Sequence, residues 1–594
     1  EYLSPLAYGS VSGTYIETTN DYDGNGNLLS TEDSDGRRME YQYDLDDVVS
    51  EKKILVSTGV YQAETYENNY FGKPDEMVKK VRAGDLAGYD FSDNTLVDLT
   101  TTYEYDENGN LISETRSDDI TIEYTYDLLD RQASISQPVT DEYGNTVAAT
   151  QSTTYDYAGN ILTQTDREGN VTENVYDKRG FLIKTIDPMD GVDAFYYDRM
   201  GRVLAEVTPE NYIAETPLSS LNRKEYTYDS MGRIVTESFT HDDGSGWVSY
   251  VSKAYDYDAN GNKTKELDAL GYAAGTGATT AEKIASGYGT LYTYNCAGNM
   301  LSMLDPVSQD RSLSFTAKYT YDARGRKLTE KNAAGVVRYY AYDSMDLVTE
   351  TGYAAYDGGS ISTLTETEYD LTGNAVAVTD ANGNTVQYGY NAWNKQAQEI
   401  QPGDATIDQN TVTYQYDSLG NMVRQSDTFG TITLFTYDEL SRQTVKTVQG
   451  QGGTDSIVQE VRYDLNGNTR FTVDGNGTTT EKTYDGNNNI LTESIEVGSV
   501  QQTTAYTYDA NGNQLTATDW LGNVSAQAYD PLNRVTEKWD AESNRVEKLT
   551  YNHNDQQVIS RDALHREILY EYDKNNRLTD TTDAELHTHS QDYD

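Results

Sequence analysis

The side chains best able to do chemistry are carboxylates and amides on alternate positions. Asp23/Asn25/Asn27, Asp106/Asn108/Asn110, Asp258/Asn260/Asn262, Asp464/Asn466/Asn468 and Asp509/Asn511/Asn513 all read Asp-x-Asn-x-Asn. Alternate oxygen ligands open a calcium loop, but all five segments lack the glycine at the sixth position and the glutamate at the twelfth. A tight hairpin turn accounts for the same residues without metal, so no cofactor is expected. On a strand, His587 and His589 would share a face and could chelate zinc, yet no third ligand stands at a fixed spacing from them. His241, His553 and His565 are scattered, and Cys296 occupies a turn position filled by Ser or Ala in other copies. Carboxylates recur at equivalent places along the chain, which indicates architecture rather than one glycosidase pair. Serine elbows, dinucleotide fingerprints and Walker loops are absent from the sequence. These residues predict no enzyme.

The carboxylates are spaced by a repeat. Tyr-Asp or Tyr-Asn returns at 24 tyrosines from Tyr22 to Tyr593, counting Tyr66 as a degenerate copy, and 11 of the 23 intervals are 21 residues long. Representative copies are Tyr22-Asp23, Tyr105-Asp106 with Gly109-Asn110, Tyr228-Asp229 with Gly232-Arg233, Tyr321-Asp322 with Gly325-Arg326, and Tyr508-Asp509 with Gly512-Asn513. A unit ending in Gly-Asn is usually followed by a 21-residue step and the next unit by a longer one, so hairpins come in pairs with every second connection free to lengthen. The long connections cover 68–102, 136–153, 207–224, 239–251 and 269–289. They read as loops at hairpin ends.

Each unit predicts strand, turn, strand, turn. Twelve copies carry Tyr-x-Tyr before the Asp or Asn, and period two places both rings on one strand face. Repetition along the array assigns these rings to packing between strands rather than to a carbohydrate surface. Only 279–286 could form a helix. One hairpin cannot bury its own apolar face, so neighbours must stack on it. Twenty-four two-strand units, at about 4.8 Å per strand, make a ribbon on the order of 230 Å long. Wound once or twice, it would enclose a hollow roughly 40 to 70 Å across. The expected fold is therefore all-β: tandem hairpins wound as a spiral into a hollow, barrel-like shell.

Composition narrows the function. Acidic residues outnumber basic ones 97 to 45, a net charge of −52, which repels phosphate backbones and argues against a nucleic-acid partner. Acidic chains of low hydropathy are often disordered, but 52 tyrosines argue for packing. No apolar run approaches the roughly 18 to 20 residues of a membrane span. With a single cysteine the chain has no disulfide framework, which fits a bacterial protein better than an animal extracellular one. Its first residues carry no basic leader region, and it ends in mid-unit at Tyr593-Asp594. The expectation is a piece of something longer: 1–14 a linker or the end of a preceding domain, 15–594 one continuous array of about 24 units.

The phased Tyr-Asp-x-x-Gly-Asn/Arg units closely resemble the YD or Rhs repeats. The best matches are Tyr228 to Arg233, Tyr321 to Arg326 and Tyr508 to Asn513. That family includes bacterial polymorphic toxins, encapsulating subunits of insecticidal toxin complexes, and teneurins. The resemblance implies a β-spiral cocoon around the protein's own C-terminal toxin or effector, with secretion or cell-surface partners. No core terminus of the Asp-Pro-x-Gly-Leu type is present: Asp187-Pro188 and Asp305-Pro306 lie mid-array. No catalytic residue is therefore carried over. The expected function is a structural shell of a secreted or surface-associated bacterial protein; the alternative is a cell-surface adhesion module binding carbohydrate or protein.

Overall fold

A strand ends at the repeat tyrosines from Tyr22 to Tyr572, Tyr66 excepted, because the next five residues are built to turn; at Tyr66 the strand runs on to Asn68. Asp-x-x-Gly-Asn supplies one left-handed residue, and the chain returns as the next strand. Thus Leu96–Tyr105 is followed by Leu111–Thr115, with Tyr103 opposite Glu114 and Tyr105 opposite Leu111. The register slips by one between Glu104 and Tyr105. A type I turn followed by a left-handed residue produces that bulge. The computed structural model describes residues 18–33, 36–57, 60–403, 409–450, 455–498 and 500–593. The linker expected over 1–14 lies outside the described residues, as does Asp594.

The described residues form 47 strands of one antiparallel sheet, with three short α-helices and three 3₁₀ turns. This is the expected all-β array of tandem hairpins. The chain divides into two compact units, each made of two distant stretches: 1–152 with 320–479, and 153–319 with 480–594.

Within each unit the two stretches meet along a seam. In the first, Arg37 Nη1 donates to Ser344 Oγ at 2.6 Å and Arg116 Nη2 to the Glu439 carbonyl at 2.9 Å. Thr140 donates from its N–H and its hydroxyl to the Glu439 carboxylate at 3.0 and 2.7 Å. The buried Gln415 amide donates to the carbonyls of Gly84, Leu86 and Tyr89. In the second unit, Asn487 Nδ2 donates to Asp187 Oδ2 at 2.9 Å, and Leu270 N to Asn554 Oδ1 at 3.0 Å. The Tyr250 ring stacks on His553 at 4.1 Å. Partners across the seam lie about 300 residues apart, as with Thr140–Glu439 at 299 and Asp187–Asn487 at 300. The sheet comes back alongside itself.

The long connections differ from the expectation of simple loops. Residues 136–153 lie mostly in paired strands, Gln132–Thr140 and Thr146–Tyr155, and 239–251 mostly in Ile234–Asp242 and Trp247–Tyr257. Lengthening a hairpin satisfies the added backbone N–H and C=O groups, whereas a bare loop leaves them to water. Over 68–102 the strands Pro74–Arg82 and Leu96–Tyr105 pair likewise, and 83–95 turns over at their end. In 207–224 the chain makes two 3₁₀ turns. In 269–289 it forms α1 (Ala269–Ala273) and α2 (Thr280–Ser286), the latter with a Thr279/Glu282 capping box. A third helix, α3 (Pro306–Asp310), was not legible, because its five residues are too few to show a period.

These connections hold much of the buried core. Val81, Leu86, Trp393 and Tyr416 cluster at one seam; Ala194, Val207 and Leu221 form a second group; Ala254, Leu267 and Ile284 pack beneath the helices.

Candidate functional site: the repeat junction

The aspartate after each repeat tyrosine is the hub of its turn. Asp106 Oδ1 accepts from the N–H of Asn108 at 2.9 Å and of Asn110 at 2.8 Å, while Oδ2 accepts from Asn110 Nδ2 at 3.0 Å. Its own N–H donates to the Asn110 carbonyl, and Gly109 N donates to the Asp106 carbonyl. Gly109 has φ +85°, the left-handed region glycine enters without strain. Asp23 and Asp509 are bound in the same way by Asn27 and Asn513. In Asp229-x-x-Gly232-Arg233 and Asp322-x-x-Gly325-Arg326 the arginine replaces the asparagine, with Nε donating to Oδ2 at 2.6 Å in both. In these copies the fifth side chain is a donor, Asn or Arg; where it is Val48, Phe181 or Leu347, the backbone N–H alone reaches the aspartate.

These bonds favour the charged carboxylate. The side-chain amide and backbone N–H of Asn110 hold Asp106 below the usual carboxylate range. Asp23 is lowered chiefly by the backbone N–H of Asn27, and Asp229 by that of Arg233. The oxygens that suggested calcium ligands therefore face the turn's own donors. Among the described residues no group of three or more His, Cys, Asp or Glu is placed to hold a metal ion. His587 and His589 do not share a strand face: His587 fills the fifth turn position, its N–H donating to Asp583 Oδ1, and His589 sits on the strand Thr588–Ser590. Cys296 is an exposed turn residue.

The tyrosine joins one unit to the unit before it. Tyr126 Oη donates to the Leu111 carbonyl at 2.9 Å, Tyr228 to Val203 at 2.7 Å, Tyr342 to Lys327 at 2.7 Å and Tyr508 to Ile490 at 2.8 Å. The acceptor is the sixth residue after the previous repeat tyrosine. Tyr105 makes the same link to Pro74 at 3.1 Å, the sixth residue after Asn68, which takes the strand-end place that the spacing assigned to Tyr66. This bond explains why the position is Tyr rather than Phe. Tyr22, in the first described strand, is exposed. Burial raises Tyr321 above its ordinary value, and with Glu206 it pushes Tyr226 up to about 12.

Arginine adds a second staple. Arg326 holds its own Asp322, donates through Nη1 to the Asp343 carbonyl of the next turn at 2.8 Å, and lies over the Tyr342 ring at 4.9 Å. Arg233 does the same with Asp258 and Tyr257, and Arg442 with Asp464 and Tyr463. A planar fork suits this three-way contact, and an ammonium does not.

A further class of residue escaped the sequence reading. At several repeat turns where the left-handed position is not glycine, its side chain accepts from the fifth residue of the preceding turn. Asn110 Nδ2 donates to Asp130 Oδ1 and Asn513 Nδ2 to Asn533 Oδ1, both at 2.9 Å, and Arg326 Nη1 donates to Asp346 Oδ1 at 2.8 Å. Asp130, Asn533 and Asp346 have φ of 57°, 63° and 65°. The alternation of Gly-Asn units with Asp-Arg or Asn-Arg units was its signal.

This geometry belongs to the repeat turns themselves. It is one structural junction used over and over, and a chain so built is a tandem β-hairpin repeat protein. The RHS repeat family matches residues 105–146, 369–406 and 416–454, each match beginning at a repeat tyrosine. The tRNA3(Ser)-specific nuclease WapA of Bacillus spizizenii is 27% identical over 197 residues, 28% of this chain and 7% of that protein. Human Teneurin-4 is 26% identical over 204 residues, 32% of this chain and 7% of that protein. In three dimensions the chain is similar to TcdB2-TccC3 without its hypervariable C-terminal region, with a TM-score of 0.71 at 14% identity. That match covers 98% of this chain and 35% of the other. The Photorhabdus luminescens Tc holotoxin pore matches with a TM-score of 0.69 at 13% identity, over 96% of this chain and 34% of that one. The chain thus shares its fold with about a third of these solved chains, and it matches about 7% of the length of the curated relatives. Among the described residues no helix is long and apolar enough to cross a membrane.

Proposed function

We propose that this chain is the structural, non-catalytic shell of a bacterial, secreted or surface-associated RHS-repeat protein, and that it encloses a toxin or effector domain of the same polypeptide. The observation that carries this reading is surface area. A compact globule of 66.3 kDa exposes about 21,000 Å², whereas this chain exposes 32,805 Å². Such an excess is expected of a sheet wetted on both faces. A single-layer sheet with water on both faces is the wall that such an enclosure needs. The cargo half of the proposal is supported by the solved relative being known with and without a hypervariable C-terminal region, and by a curated relative being named as a nuclease.

The test fuses a small, protease-sensitive reporter after Asp594 and follows its digestion. Enclosure predicts cleavage slower by about tenfold or more than for the free reporter, with the array intact. Equal rates would reject encapsulation.

A further inference from the structure

All five histidines lie in the second unit, and two of them meet at its seam on a single ring. His553, from a repeat turn of the later stretch, stacks face to face on Tyr250 at 4.1 Å and 11°. His241, from the strand paired with that of Tyr250, meets the same ring edge-on at 6.3 Å and 88°, and stacks on Phe239 at 5.3 Å. The two imidazoles thus reach Tyr250 from opposite sides of the seam.

The carboxylates around them are already engaged. Asp530 and Asp555 both accept from Arg534, at 2.7 and 2.8 Å. Glu237 accepts from Tyr255 and pairs with Lys224, and Asp268 accepts from Gly271 N and Asn576 Nδ2. Beside His241, Asp242 accepts from Gly244 N and Asp243 from Ser245. Lys253 completes the charged lining of a cavity of about 430 Å³ that opens onto His553 and gives water and protons a way in. Nδ1 of His241 is buried without a hydrogen-bond partner among the described residues. Both nitrogens of an imidazolium donate, so charging His241 leaves a buried N–H with no acceptor.

Burial first, and then His241 and Arg534, hold the His553 imidazole below its usual range, against Asp555, which raises it. Burial also pushes Tyr250 up to about 12, so the ring between the histidines stays neutral. A base with a lowered folded value contributes fully above its unfolded value, 6.5 for His553, and that contribution is lost as pH falls below it. One imidazolium over the Tyr250 face gains cation–π attraction; a second, with Arg534 close by, turns the balance to repulsion.

We propose that the seam of the second unit loosens at mildly acidic pH, with His241 and His553 as its paired sensors, while the histidine-free seam of the first unit does not respond. The hairpins on either side keep their own ladders and turns, so the seam parts without melting the strands. The device needs no cargo.

Hydrogen exchange on the full chain at about pH 7.5 and about pH 5.5, corrected for the intrinsic pH dependence of exchange, tests this. The Leu270 N–H, which donates to Asn554 across the seam, is a direct reporter. Exchange around Tyr250, Leu270 and His553 is expected to rise about fivefold or more at the lower pH, one pKa unit being tenfold in an equilibrium. Exchange around Thr140 and Glu439 should not rise. His241→Phe/His553→Phe keeps both rings but cannot titrate, and should hold the seam closed at both pH values with an unchanged circular dichroism spectrum. If that double variant does not fold, His553→Phe alone should reduce the rise to about twofold or less. A wild type whose exchange is independent of pH or slows on acidification overturns the proposal. So does an equal rise at the seam of the first unit, or a phenylalanine variant that responds as the wild type does.

Discussion

The single tyrosine hydroxyl is where the repeat becomes an array. Tyr508→Phe removes the donor to the Ile490 carbonyl and leaves that acceptor short of a partner, at a cost of about 0.5–1.5 kcal/mol. Stability in an array is nearest-neighbour, so the loss should be local. Hydrogen exchange should accelerate in 490–518 and hardly at all in distant strands; uniform acceleration would contradict the junction model. The turn aspartates set the acid limit. Asp23, Asp106 and Asp229 titrate below their unfolded value near 3.8. A lowered folded value means that their contribution is complete above the unfolded one and is lost as pH falls through the folded one. The thermal midpoint should stay level from about pH 7 to about pH 5 and fall steeply below about pH 4. A midpoint unchanged at pH 3 would show that the carboxylates hold nothing.

At the scale of the element, the left-handed turn position separates strain from bonding. Asp130 sits at φ 57° and accepts from the amides of Asn108 and Asn110. Asp130→Gly loses the acceptor but relieves the backbone, and is expected within about 0.5 kcal/mol of wild type; Asp130→Ala loses the acceptor and keeps the strain, costing about 1–2 kcal/mol. Chemical denaturation of both variants compares them directly, and equal destabilisation would refute this division. The insertions carry a different prediction. Leu267, fully buried, packs with Ala254 and Ile284 under α1 and α2. Leu267→Ala should cost about 2–4 kcal/mol and expose the 269–289 segment to protease. A value below about 1 kcal/mol would return this segment to the status of a decorative loop.

At the scale of the molecule, cooperativity should be incomplete. Each unit joins stretches about 300 residues apart, as Thr140–Glu439 and Asp187–Asn487 do, and each has its own clusters and seam. Calorimetry is expected to give a van't Hoff enthalpy well below the calorimetric one, because the units and their hairpins unfold in more than one step. A ratio of one would mean that the seams couple the whole chain into a single transition.

Repeat, turn and strand were legible in the sequence because they are local. Tyr-x-Tyr alternation, Asp-x-Asn-Gly-Asn turns and 21-residue spacing depend on residues within a few positions of one another, and there the chemistry is decided by dihedral angles and hairpin bonds. The short helix over 279–286 was legible for the same reason. The sequence also shows, without assigning a role, that the fifth turn residue is always a polar donor in the units from Tyr105, Tyr228 and Tyr508. What only the tertiary structure decided is which turns meet. Glu439, Gln415 and Asn554 look like any other turn or strand residue in the chain, and their partners Thr140, Gly84 and Leu270 stand 299, 331 and 284 residues away. No periodicity of 21 encodes that distance. It follows from the accumulated twist of the sheet, a sum over some two dozen strands that no single residue carries.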